Sequence, residues 1–130
     1  MSQRGSVSIL MVAGALLLSL SSLAVADLGS MLFARARAQQ AADAAALAAV
    51  VEQAPILHEG SDPSTAARDA AERNGATLTS CSCDVGTPDA SVEVEVTPKL
   101  TFLSGWYGRT AHAKAHAHLD DDVFTYRETD

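Results

Sequence analysis

From Val7 to Ala26 the chain carries no charged residue. A helix of that length spans roughly 30 Å, the hydrocarbon thickness of a bilayer. Arg4 precedes the run and Asp27 closes it. Two readings compete. Ala24-Val25-Ala26 ahead of Asp27 has the small-x-small form of a signal-peptide cleavage site, which would release a secreted module beginning at Asp27. A secretory h-region, however, runs only about 7–15 residues, and here the apolar run is longer and the helical pattern continues beyond it. The expectation is a retained transmembrane helix over 7–26 that holds a single-pass protein in the cell membrane.

The span is sided. At about 100° per residue, Ser8, Met11, Ala15, Ser19, Ser22, Ala26 and Gly29 share one stripe, while Leu10, Leu17, Leu20 and Leu28 lie opposite. Small residues let helix backbones approach closely in lipid, and serines can bond across the contact. Ala15, Ser19, Ser22 and Ala26 are therefore the candidate helix-packing stripe, for partner helices or a second copy. Chance use of Ala, Ser and Gly in a single span gives the same pattern.

Beyond Asp27 the chain is rich in Ala, Gln, Arg and Leu, all good helix formers. Leu47, Val50, Val51 and Ala54 mark an apolar edge, and Pro55 ends the run. One long helix is expected from about residue 6 to about residue 53, with Gly29 and Ser30 as a candidate bend. Leu47, Val50 and Val51 are expected to supply core surface to the C-terminal domain.

The remainder alternates. Asp62 suits an N-cap, Pro63 the first helical position and Gly75 the residue past the helix end, which predicts a short helix able to dock on a sheet. Strands are expected at Ala76–Cys83, at Ser91–Thr97 with Val92, Val94 and Val96 inward, and at Arg109–Leu119. In the last, Ala111, Ala113, Ala115 and Ala117 alternate with His112, Lys114, His116 and His118; a helical reading stays open because His112 and His116 are four apart. Leu100 to Tyr107, with Phe102 and Trp106, is expected to be a capping loop or crossover. The expected fold class is α+β: a long transmembrane and juxtamembrane helix, a short helix and a small antiparallel sheet, pilin-like in plan.

Charge narrows the partners. The net charge of −7 leaves no basic patch to neutralise phosphates, so a nucleic-acid partner is not expected. No cofactor and no catalytic residue is expected: the chain has no Gly-x-Ser-x-Gly elbow, phosphate loop or His-Glu-x-x-His. His112, His116 and His118 would share a strand face, but Lys114 among them would repel a cation; a solvated face is expected and no metal. Cys81 and Cys83 are a candidate disulfide if the domain lies outside the cytoplasm. Residues two apart on an extended strand stand roughly 6.5–7 Å apart at Cα, at the limit for bonding, so free thiols or an intersubunit bond stay open.

Arg4-Gly5-Ser6, the apolar span, Asp27-Leu28-Gly29 and then the block Ala38-Gln39-Gln40-Ala41-Ala42-Asp43-Ala44-Ala45-Ala46-Leu47-Ala48-Ala49 together resemble the TadE/TadG-like N-terminal segment of Flp pilus-assembly proteins. The resemblance covers residues 4 to about 51, with Asp27, Gly29, Gln39, Gln40, Asp43 and Leu47 as its motif positions. The rest is similar to the short actinobacterial TadE-like proteins of secretion neighbourhoods. The resemblance implies a non-enzymatic, membrane-anchored minor pilin or pseudopilin, its C-terminal domain extracytoplasmic. Its partners would be the bilayer, other pilus or secretion membrane proteins, and copies of itself. Prepilin-like processing would fall between Gly5 and Ser6. Leu10 then stands where type IV pilins carry a glutamate, which implies a subunit outside a pilus core. The organisation expected is a leader at 1–6, the span at 7–26, a juxtamembrane helix at 27–54, an α+β domain at 55–119 and an acidic tail at 120–130.

Overall fold

The computed structural model describes residues 4–54, 62–98 and 110–120, with side chains from Val7 onward. The helix stop at Pro55, the aromatic cluster from Leu100 to Tyr107 and the acidic tail past Asp120 lie outside the described residues.

Helix α1 runs unbroken over Arg4–Gln53, through Gly29 and Ser30. It starts inside the stretch expected as a leader and stops at the residue expected. Helix α2, Pro63–Arg73, opens on Asp62, whose carboxylate accepts the Thr65 N–H at 3.1 Å and the Ser64 hydroxyl. Its end is built as the sequence predicts. Gly75 takes a left-handed φ of 73°, and the N–H groups of Gly75 and Ala76 reach back to the Glu72 and Ala71 carbonyls.

Strands β1 (Thr77–Ser82), β2 (Asp89–Val96) and β3 (Ala111–His118) form an antiparallel sheet in the order β1-β2-β3. The chain is α+β. The strand reading of β3 holds over the helical one, and its register sets Val92 against Ala115 and Val94 against Ala113. In β1 the register shifts between Leu78 and Ser80. That bulge sets Leu78 opposite Val94 and Cys81 opposite Val92, so residues three apart both turn toward the core. The displaced Thr79 hydroxyl donates to the Glu93 carbonyl at 3.0 Å.

The core is a seam of alanine. Ala38, Ala41, Ala42, Ala45 and Ala49 of α1 are fully buried, beside Val92, Val94 and Val96 of β2 and Ala111, Ala113 and Ala117 of β3. Where alanine meets alanine, between α1 and β3, the backbones can approach closely and keep interior packing density, while the valines of β2 fill the wider side.

One expectation is corrected. Leu47 is 60% exposed and Val51 38%, while Val50 is buried. The edge that packs is the alanine one, because the sheet lies on the other side of α1. Helix α2 packs chiefly on α1 and also meets the sheet at β1, as a short docking helix can, with Ala67, Ala70 and Ala71 buried. The second half of α1 is thereby enclosed by the sheet and α2, so the small domain includes it and does not start after it.

Candidate functional site

The functional surface is sought on α1, which carries the motif positions Asp27, Gly29, Gln39, Gln40, Asp43 and Leu47. Gly5 and Ser6 lie in its first turn. From Val7 to Val25 its large side chains stand open: Leu10 is 70% exposed, Leu17 66% and Leu18 72%. By length and composition α1 is able to cross a membrane. Large apolar side chains bare on every side of a helix require a partner or a lipid environment.

Within the stripe, the Ser19 hydroxyl donates to the Ala15 carbonyl at 2.9 Å, and Ser22 to Leu18 at 2.9 Å. Ser21, off the stripe, donates to Leu17 at 2.8 Å. Each hydroxyl is satisfied by the turn below it, which lowers the cost of a serine in hydrocarbon and leaves its oxygen able to accept a bond from a neighbour. Ala15, Ser19, Ser22 and Ala26 are all exposed.

The motif block divides by face. Gln39 donates to Asp43 at 2.9 Å along the outer surface, and Gln40 and Leu47 are exposed with them. The alanines between them form the seam. At about 100° per residue, Gly29, Phe33, Gln40, Asp43, Leu47 and Val51 stay within about 40° of one line, and the stripe of the span lies on the same side. Stripe and outer face therefore lie along one side of α1, opposite the alanine seam. Asp27, at the junction, is half-buried.

In the small domain Cys81 and Cys83 are disulfide-bonded, with Cα atoms 5.5 Å apart. Cys83 lies past the end of β1, so the chain there is not held at the extended strand spacing. The histidines are exposed on the outer face of β3. His118 Nδ1 and His116 Nε2 lie 2.9 and 3.3 Å from the same oxygen of Asp89, and Lys114 lies 3.3 Å from Glu93. The two imidazoles meet on one carboxylate oxygen. Among the described residues no group of three or more His, Cys, Asp or Glu is placed to hold a metal ion. Asp89 escaped sequence reasoning because it joins the histidines only through the β2–β3 register.

Sequence reasoning also missed the far end of α1. Glu52 and Gln53 are buried, and both amide atoms of Gln53 lack a hydrogen-bond partner among the described residues. The Gln53 carbonyl accepts the Gly86 N–H at 3.1 Å, which ties the end of α1 to the β1–β2 turn.

A helix bare at one end and sheathed by a small α+β domain at the other defines a class of chain built on a single continuous stalk. The sequence places the stalk more narrowly. Residues 5–54 match the family Tad, described as "Putative Flp pilus-assembly TadE/G-like". The match spans α1 almost end to end; α2 and the three strands fall outside it. No curated protein and no solved structure matches the chain.

Proposed function

We propose that the chain is a membrane-anchored, minor pilin-like or pseudopilin-like subunit of a Flp/Tad-type assembly or secretion apparatus. The Tad-type segment supports a role in pilus assembly and contact with other pilus proteins. That family is structural rather than enzymatic, and the chain works by helix packing, not chemistry. The observation that carries the finer reading is α1 itself. Its first half exposes large apolar side chains on every side, and its second half is the buried seam of a small domain. Cleavage after Ala26 would cut this helix where it runs unbroken, which favours retention over release of a secreted module.

In this reading residues 7–26 cross the bilayer and the domain stands outside the cytoplasm, where the Cys81–Cys83 bond is stable. Assembly contacts use the side of α1 opposite the alanine seam: Ala15, Ser19, Ser22 and Ala26 within the membrane, then Gln40, Asp43 and Leu47 above it. Carbonate extraction and, in parallel, protease treatment of intact cells test this. The protein should stay in the membrane pellet and lose its domain to external protease. A soluble product whose N-terminus is Asp27 would refute the anchor. A retained protein shielded from protease would refute the topology.

A further inference from the structure

The Cys81–Cys83 disulfide joins residues with a sequence separation of 2. A cross-link stabilises mainly by removing loop entropy from the unfolded chain, and the gain grows with loop length. A ring this short contributes little by that route. Nor does it join two elements. Cys81 is in β1 and Cys83 lies just past its end, while β1 is already held by its pairing with β2 and its packing beside α2. Both cysteines border the core without belonging to its fully buried set.

The bond also holds the chain back. Its Cα atoms stand 5.5 Å apart, closer than the roughly 6.5–7 Å of an extended strand. The β1–β2 ladder stops at Ser82 and Ser91, although β2 begins earlier, at Asp89. Ala90 pairs with Ala117 of β3 and with no residue of β1. Opening the ring frees Cys83 to extend opposite Ala90, so the dithiol gains a strand pair that the closed ring works against. A stabilised reduced form is what makes a disulfide a ready oxidant. The bond is also within reach. Cys81 and Cys83 are half-buried, Ser82, Asp84 and Val85 around them are exposed, and β1 is an edge strand of the described sheet.

We propose that Cys81–Cys83 is an exchangeable disulfide that accepts an electron pair from a protein dithiol. The partner's thiolate sulfur bonds to Cys83 Sγ, the Cys81–Cys83 bond breaks, and Cys81 leaves as a thiolate that takes a proton from water. The partner's second thiolate then attacks its own sulfur in the mixed disulfide, and Cys83 leaves and is protonated in turn. The partner has lost an electron pair and its thiol protons to become a disulfide; Cys81 and Cys83 have become thiols. Cys83 is the sulfur attacked because it has no strand partner and can swing outward, whereas Cys81 is fixed opposite Val92. The exchange is a property of the small domain and goes beyond the assembly role of α1.

The test uses the full chain in detergent, with reduced thioredoxin as the dithiol probe and maleimide labelling to count thiols. Thioredoxin, or an excess of reduced glutathione, should open the bond in the folded protein, so that each chain gains a label at both Cys81 and Cys83. Amide exchange at Val92 and Val94 should stay as slow as before, and backbone chemical shifts at residues 83–84 should move toward extended values. A thioredoxin variant that keeps only its attacking cysteine should be trapped on Cys83 about ten-fold more often than on Cys81, as peptide mapping reads it. The double variant Cys81→Ser, Cys83→Ser cannot exchange and should keep the same protection at Val92 and Val94. A bond that resists both reagents until the domain unfolds overturns the proposal. Protection at Val92 and Val94 that falls on reduction does so too, because the bond is then a structural staple. Equal trapping on the two sulfurs, or a chain isolated with free thiols or with a bond between copies, also overturns it. Membrane retention does not enter any of these readouts, so their failure leaves the anchor standing.

Discussion

The two halves of α1 obey one helical period and opposite rules of size. Between Val7 and Ala26 the large side chains are bare; between Ala34 and Gln53 the buried positions are nearly all alanine, and Leu47 points outward. Burial in this protein therefore does not follow hydrophobicity along α1. It follows the distance at which neighbouring backbones sit. Where a sheet and a second helix press on α1, alanine fills most of the gap, and larger side chains are buried only towards its end, at Val50, Glu52 and Gln53. Where no described residue presses on it, leucine and isoleucine remain, and their exposure fits a surface covered by lipid or a partner helix.

The strongest way to break this comparison is to exchange the sizes. Ala45 is fully buried in the seam. Ala45→Leu should cost about 3 kcal/mol, the upper end of the overpacking range, since neither the β2–β3 face nor α2 can yield without moving backbone. Ala15→Leu, in the bare half, should leave the domain untouched while weakening any contact made by the stripe. Amide exchange of β2 in the full chain in detergent reports both. Equal loss of protection in the two variants would mean that the halves are not distinct environments.

A second exchange tests the assignment of faces within the packed half. Val94 is fully buried and Leu47 is mostly exposed. Val94→Ala should destabilise by about 1.5–3 kcal/mol, the value of a buried side chain of that size. Leu47→Ala should stay within about 0.5 kcal/mol. If Leu47→Ala instead lowers recovery of pilus-type partners from membranes, the outer face of α1 is the contact surface proposed for it. If Leu47→Ala destabilises as much as Val94→Ala, the face assignment is wrong.

Gln53 sharpens the comparison at the end of the seam. Its amide is buried, with neither atom paired among the described residues. An unsatisfied buried polar group costs about 1–3 kcal/mol, so Gln53→Met, similar in length and apolar, should raise stability by an amount within that range. A loss of stability on Gln53→Met would show that the amide is engaged by a group outside the described residues.

How much of this was legible beforehand depended on whether a feature is local. The long helix, the caps at Asp62 and Gly75, and the alternation of Val92, Val94 and Val96 are written in neighbouring residues, and each stands where the pattern puts it. The packing face of α1 was misread because leucine and valine were given priority over alanine. A sequence marks which residues are apolar but not which side a sheet will occupy. The pairing of Asp89 with His116 and His118, and the bulge that turns both Leu78 and Cys81 inward, depend on strand register. No spacing in the chain encodes that register directly.

The smallest expected effect concerns α2, whose start rests on one side chain where α1 rests on a whole seam. The Ser64 hydroxyl, and next the Thr65 N–H, bond to the Asp62 carboxylate and hold it below its ordinary value of 3.8. A carboxylate depressed in the folded state contributes stability above its unfolded value. That contribution is complete at neutral pH and is lost as pH falls from near 3.8 through the lower folded value. Protection of the first amides of α2 should therefore decline on acidification, ahead of amides in the alanine seam of α1, which no such group supports. Asp62→Asn separates the charge from the cap, because asparagine caps a helix nearly as well and does not titrate. Hydrogen exchange across a pH series in detergent should show a step in the native chain and a flat profile at Thr65 and Ala66 in the Asp62→Asn variant. Should the variant show the same step, the acid sensitivity does not come from Asp62, and the start of α2 is held by its packing on α1 rather than by its cap.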